Sequence, residues 1–143
     1  MLSNYKGLFQ VVDGMVQYRY NLGSGEGVAR VSGVLVNDGQ WHSISVERIA
    51  RNAHVLVDNK YKAEGSAPPS NELLNLNSNI VYFGGEVNMK KGYPDVKRGF
   101  VGCIKSIQLD NIVLPAAGSN SVGLLQKAYD VEYHCRGRYV PGN

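Results

Sequence analysis

Residues 7–27 read GLFQVVDGMVQYRYNLGSGEG, and the dipeptide Asp13-Gly14 at the centre of this stretch decides how the chain is read. Asp-Gly between two apolar runs is a hairpin signal, because both residues tolerate the positive φ that a tight primed turn needs. The spacing predicts a strand at Leu8–Val12, a turn, and a returning strand at Met15–Asn21. In the second strand Val16, Tyr18 and Tyr20 alternate with Met15, Gln17 and Arg19, the two-residue period of a two-faced strand. LGSGEG then reads as a loop. A helical period is almost absent from the rest of the chain.

The same logic repeats downstream. VARVSGVLV (28–36) reads as a strand with a bulge at Gly33. Asn37, Asp38 and Gly39 form a turn, and Trp41–Ile49 follows as a strand with Ile44 and Val46 on one face and Ser43, Ser45 and Glu47 on the other. His54–Asp58 alternates, Asp58-Asn59 turns, and Lys60–Ala63 returns. GSAPPSNE (65–72) is a surface loop, since Pro68 and Pro69 offer no ladder donors. NIVYFGGEV (79–87) reads as a short buried strand, and MKKGYPDVKRG (89–99) as a polar segment, the most mobile by composition. FVGCIKSIQLDNIVLP (100–115) contains a strand, a turn at Asp110-Asn111 and a return. SVGLLQKAYDVEYHC (121–135) holds one helical turn before a final strand. About ten short strands at close spacing predict an all-β antiparallel sandwich or barrel.

Composition agrees with this class. A chain of 143 residues is long enough for one hydrophobic core, with 43% apolar and 19% charged residues, 17 glycines and nine tyrosines. No apolar run approaches the roughly 18–20 residues of a membrane span, and MLSNYKGLFQ lacks the pattern of a signal peptide. The net charge of +3 is too balanced to argue for nucleic acid. Locally, Lys90, Lys91, Lys97 and Arg98 fall within nine positions, a patch that suits either a solvated loop or an acidic partner such as a sulfated glycan. No Asn-x-Ser/Thr sequon occurs. The two cysteines, Cys103 and Cys135, match no metal spacing and are either buried thiols or one bridge. A bridge would close a loop of about 30 residues and stabilise the fold by roughly 3 kcal/mol in the chain-entropy model.

Catalytic patterns are missing. Glycosidases need two carboxylates facing one cleft, whereas Asp13, Asp38, Asp58, Asp95 and Asp110 all fall in turns or loops and Glu47 stands alone on its strand. His42, His54 and His134 match no metal spacing, no Gly-x-Ser-x-Gly elbow is present, and GSGEG lacks the Lys-Ser/Thr of a phosphate loop. The expectation is a protein that is not an enzyme.

Five blocks in order, YRYNLGSGEG, VNDGQWHSISVER, VLVDNKYKAEG, IVYFGGEV and GFVGCIKSIQLDN, followed by a late cysteine, resemble a laminin G-like domain over nearly the whole chain. The resemblance implies a jelly-roll (concanavalin-like) antiparallel β-sandwich spanning residues 1–135, with 136–143 as a tail or linker. It implies a Cys103–Cys135 disulfide and an extracellular or cell-surface location. The ending is most similar to the copies in large atypical cadherins, where such domains sit among epidermal-growth-factor-like modules. The family opens with two or three strands before the segment matching NYKGLFQVVDG, so the chain is expected to begin part-way into the fold.

In such a domain the Trp-His block begins a central strand, which places Trp41 under a neighbouring loop and His42 beside the turn as a packed polar residue. Many members bind calcium at the sandwich rim. The corresponding positions are Asn4, Leu22, Asn75 and Asn77, without a carboxylate, so affinity is expected at or beyond the weak, millimolar end. The remaining expectation is a non-catalytic adhesion or matrix module. Its rim loops, Gly23–Gly27, Ser66–Asn71 and Met89–Gly99, would take a protein ligand or a sulfated glycan.

Overall fold

The computed structural model describes residues 6–69, 95, 96 and 98–114. They fall into two units, with 6–69, 95, 96 and 98–100 in the first and 101–114 in the second. In the first unit, β1 (Lys6–Val12), β2 (Met15–Asn21) and β3 (Glu26–Arg30) form one antiparallel sheet in that order. A second sheet has the order β4 (Ile44–Ile49), β5 (Asn52–Val57) and β6 (Tyr61–Ser66). The second unit holds a hairpin of β7 (Ile107–Leu109) and β8 (Ile112–Leu114). No helix occurs among the described residues.

The turns follow from local chemistry. Asp13 and Gly14 sit at φ 52° and 77°, the paired positive values of a two-residue primed turn. Asp58 and Asn59 take φ 53° and 54° between β5 and β6, and Asp110 takes φ 50° before β8. Asp and Asn reach this region at lower cost than most side chains.

Register then sets the faces. Val16, Tyr20 and Ala29 of the first sheet, with Leu22 and Val31 just past its strands, join Ala53, Val55, Val57 and Ala67 of the second in one buried core. Burying each valine or leucine contributes about 1.5–3 kcal/mol. The Tyr20 hydroxyl crosses the core and donates to the carbonyls of Arg51 and Gly65. Gly65 lies against the β3 backbone, where a Cβ would strike the Val28 carbonyl.

At the far edges the inward faces are only half covered. Phe9 and Val11 of β1 pair with Tyr18 and Val16, and Ile44 and Val46 of β4 pair with Val57 and Val55. Phe9 is nevertheless 42% exposed and Ile44 39%. Arg48 shares the Ile44–Val46 face opposite Ala53, and its guanidinium turns back to the Ala50 carbonyl.

Two expectations are corrected. The strand expected over 28–36 stops at Arg30. Gly33 is at φ 87° and begins an irregular crossover to Ser43 rather than a bulge. The crossover still bonds to the first sheet, through Val31 N–H to the Val16 carbonyl at 2.9 Å and Val36 N–H to the Gly14 carbonyl at 2.8 Å. Sheet-like alternation therefore persists in the sequence after the ladder has ended. Trp41 is 64% exposed, not packed beneath a loop, because it sits on this crossover before β4 begins. The strand expected at 79–87 and the helical turn and strand expected over 121–135 lie outside the described residues.

Candidate functional site

The rim beside the β2–β3 turn is built from Asn21 onward. Asn21 Oδ1 accepts the Gly23 N–H at 2.8 Å, an Asx turn that closes the loop. Leu22 is fully buried, backbone and side chain together. Gly25, at φ 142°, leaves room for Pro68, whose Cγ would stand 2.8 Å from any Cβ there. The loop is thereby seated against the start of the 65–72 loop of the second sheet.

On the outer face of β2, Arg19 donates through Nε to Glu26 Oε1 at 3.0 Å and through Nη1 to Asp95. The Arg19 hydrogen bond holds the Asp95 carboxyl below the usual carboxylate range. Asp95, from the 89–99 stretch expected by composition to be the most mobile, is thus itself bound to β2. Arg98 in the same segment is exposed. Lys90, Lys91 and Lys97 lie outside the described residues, as do Asn4, Asn75 and Asn77 of the calcium set. Cys103 is half-buried, and Cys135 lies outside the described residues.

The second cluster surrounds His42, whose side chain is 11% exposed. Its Nδ1 is 2.8 Å from Asp58 Oδ2 and its Nε2 2.9 Å from Asp38 Oδ1. Hydrogen bonds to Asp58 and then Asp38 raise the imidazole above its ordinary value, and the same bonds lower both carboxylates. Asp58 Oδ1 also accepts the Ser43 N–H at 2.9 Å, and Asp58 N–H donates to the Ser43 carbonyl at 2.8 Å. The sequence placed His42 beside the turn as a packed polar residue, and its partner there is Asp38, four residues before it. The available signal was an Asp in the turn leading into a His. Asp58, sixteen residues on, was legible only as a turn residue. With both ring nitrogens facing carboxylates, the cluster is a clasp between two loops, not a relay aimed at a nucleophile. Among the described residues no group of three or more His, Cys, Asp or Glu could hold a metal.

A family model described as the laminin G domain matches residues 7–112. The chain belongs to the laminin G domain family. Its all-β architecture is accordingly the jelly-roll sandwich of that family, as the resemblance implied. This laminin G domain is 42% identical over 133 residues to the Fat-like cadherin-related tumor suppressor homolog of Drosophila melanogaster. It is 34% identical over 133 residues to human Protocadherin Fat 1. Both alignments cover 90% of this chain and 3% of the relative. Neurexin-4 of Drosophila melanogaster is 33% identical over 86% of the chain, which spans 9% of that protein. The domain therefore corresponds to a small part of each relative. Among the described residues no helix is long and apolar enough to cross a membrane.

Proposed function

We propose that this laminin G domain is a non-catalytic extracellular or cell-surface binding module in adhesion or matrix contact, recognising a sulfated glycan or a protein through its rim. Family membership over residues 7–112 carries this reading. The Arg19–Asp95 pair supports a role for the basic segment, because it anchors that segment's one carboxylate on β2 and leaves Arg98 exposed. Lys90, Lys91, Lys97 and Arg98 would meet sulfate groups by charge. Epidermal-growth-factor-like modules beside the domain in the parent chain are part of the proposal, as the resemblance implies.

The non-catalytic reading is supported by the commitments of the carboxylates: Asp38 and Asp58 to His42, Asp95 to Arg19, and Asp13 and Asp110 at positive φ in turns. A Cys103–Cys135 disulfide is part of the proposal, supported by the lack of free cysteines among the described residues. Heparin chromatography tests the glycan version. Retention that falls with salt and is lost when Lys90, Lys91, Lys97 and Arg98 become Ala is the expected result. No retention at physiological salt removes the glycan and leaves a protein ligand.

One observation favours a second reading, a weak calcium site. The Asx turn at Asn21 and the buried Leu22 side chain fix the backbone that would supply a carbonyl ligand, with Asn4, Asn75 and Asn77 as the other donors. Calcium accepts carbonyl and amide oxygens, and without a carboxylate it binds weakly. Calorimetry with calcium is expected to show at most millimolar binding. Heat of binding that survives substitution of all three asparagines by Ala would place the ion elsewhere.

A further inference from the structure

We infer that His42 is a resident cation of the folded domain and that its ring links the Asp38 turn of the crossover to the β5–β6 turn, a clasp that closes when the ring is protonated and opens at Asp38 when the ring loses its proton. The geometry carries this. A neutral imidazole has one N–H and one lone pair. Here both nitrogens stand 2.8–2.9 Å from carboxylate oxygens. No neutral tautomer can donate to both, and either one would point a lone pair at an anion. Only the imidazolium satisfies Asp38 and Asp58 together, and charge-assisted bonds of this kind are the stronger sort.

The two arms differ. Asp58 keeps its place without His42, through the Ser43 amide and its own N–H to the Ser43 carbonyl. Outside the clasp, Asp38 Oδ1 holds the Gln40 N–H, a bond within its own loop. On deprotonation the remaining N–H stays with the anchored Asp58, and Asp38 is the arm released. The turn at 37–40 then loses its side-chain link to the β5–β6 turn, while His42 and Ser43 stay held by Asp58. Among the described residues the charged groups acting on His42 are Asp58 and Asp38, one from each element it joins. Lys60, in the same turn as Asp58, holds its ammonium 4.9 Å over the Tyr61 ring centre. The raised imidazole and lowered carboxylates agree with this assignment.

Nitrogen-15 NMR of the histidine rings in the whole chain tests it. The expected result is a doubly protonated His42 at neutral pH, with a midpoint above the ordinary value of about 6.5. Asp38→Asn should weaken proton affinity about ten-fold, as loss of a close opposite charge does. The Gln40 amide should move with the same midpoint, and that movement should vanish in His42→Gln. A neutral ring at neutral pH, a midpoint that ignores Asp38→Asn, or a Gln40 amide indifferent to the His42 titration would overturn the clasp. The wild-type titration is decisive even if a variant folds poorly.

Discussion

The Tyr20 hydroxyl, carried by the middle strand of one sheet, donates to the Gly65 carbonyl in an edge strand of the other at 3.1 Å. The same hydroxyl donates to the Arg51 carbonyl. The Arg51 carbonyl also accepts the Ala67 N–H at 2.9 Å, so there the hydroxyl adds a bond between the sheets to an acceptor the backbone already serves.

Tyr20→Phe should therefore lower unfolding free energy by roughly 0.5–1.5 kcal/mol, the net worth of a hydrogen bond. Urea denaturation would show a lower midpoint with an unchanged slope. A midpoint equal to wild type would mean that water replaces the hydroxyl at no cost.

Gly65 has a separate requirement, set by packing rather than by its dihedral angles. A Cβ there meets the Val28 carbonyl and sits 2.9 Å from the Ala29 nitrogen. Backbone cannot swing aside as a side chain can, so Gly65→Ala should destabilise by about 1–3 kcal/mol or more. Thermal unfolding checks it, and an unchanged transition would rule out the close approach of β3 and β6.

Trp41 is the chain's only tryptophan, and it is 64% exposed. Its emission in the native state should lie close to that of the unfolded chain. Trp41→Ala should change stability by no more than about 0.5 kcal/mol, as surface substitutions do. A strongly blue-shifted native emission would place the indole in the core after all.

Stability should fall at both ends of the pH range. Asp95 is lowered by Arg19, and Asp58 and Asp38 by His42. A depressed carboxylate stabilises the fold above its unfolded value of 3.8 and loses that contribution as pH falls through the folded value. His42 is raised, so its contribution is complete below 6.5 and is lost as pH rises through the folded value. Urea midpoints measured from pH 3 to 9 should form a plateau between these limits. Asp95→Asn should soften the acid limb alone, and His42→Gln should flatten the alkaline one. A stability that keeps rising into alkaline pH would contradict the His42 assignment.

Local chemistry alone determined three of the turns and the strand faces, but not the β4–β5 turn, where Ala50 takes φ 52° without any local preference for it. Asp13-Gly14, Asp58-Asn59 and Asp110 mark turns because few other residues accept positive φ cheaply. The alternation of Val16, Tyr18 and Tyr20 places a face because side chains in a strand have a period of two. The β2 bounds, Met15–Asn21, were readable from sequence for that reason. Tertiary structure decided the rest. The run from Val31 to Val36 alternates like a strand, yet it becomes a crossover because its hydrogen bonds go to Val16 and to the Asp13-Gly14 turn. Arg19 finds Asp95 across 76 positions and His42 finds Asp58 across 16. Pairings of that range depend on how the sheets stack and where the loops come to rest, and no local propensity encodes either.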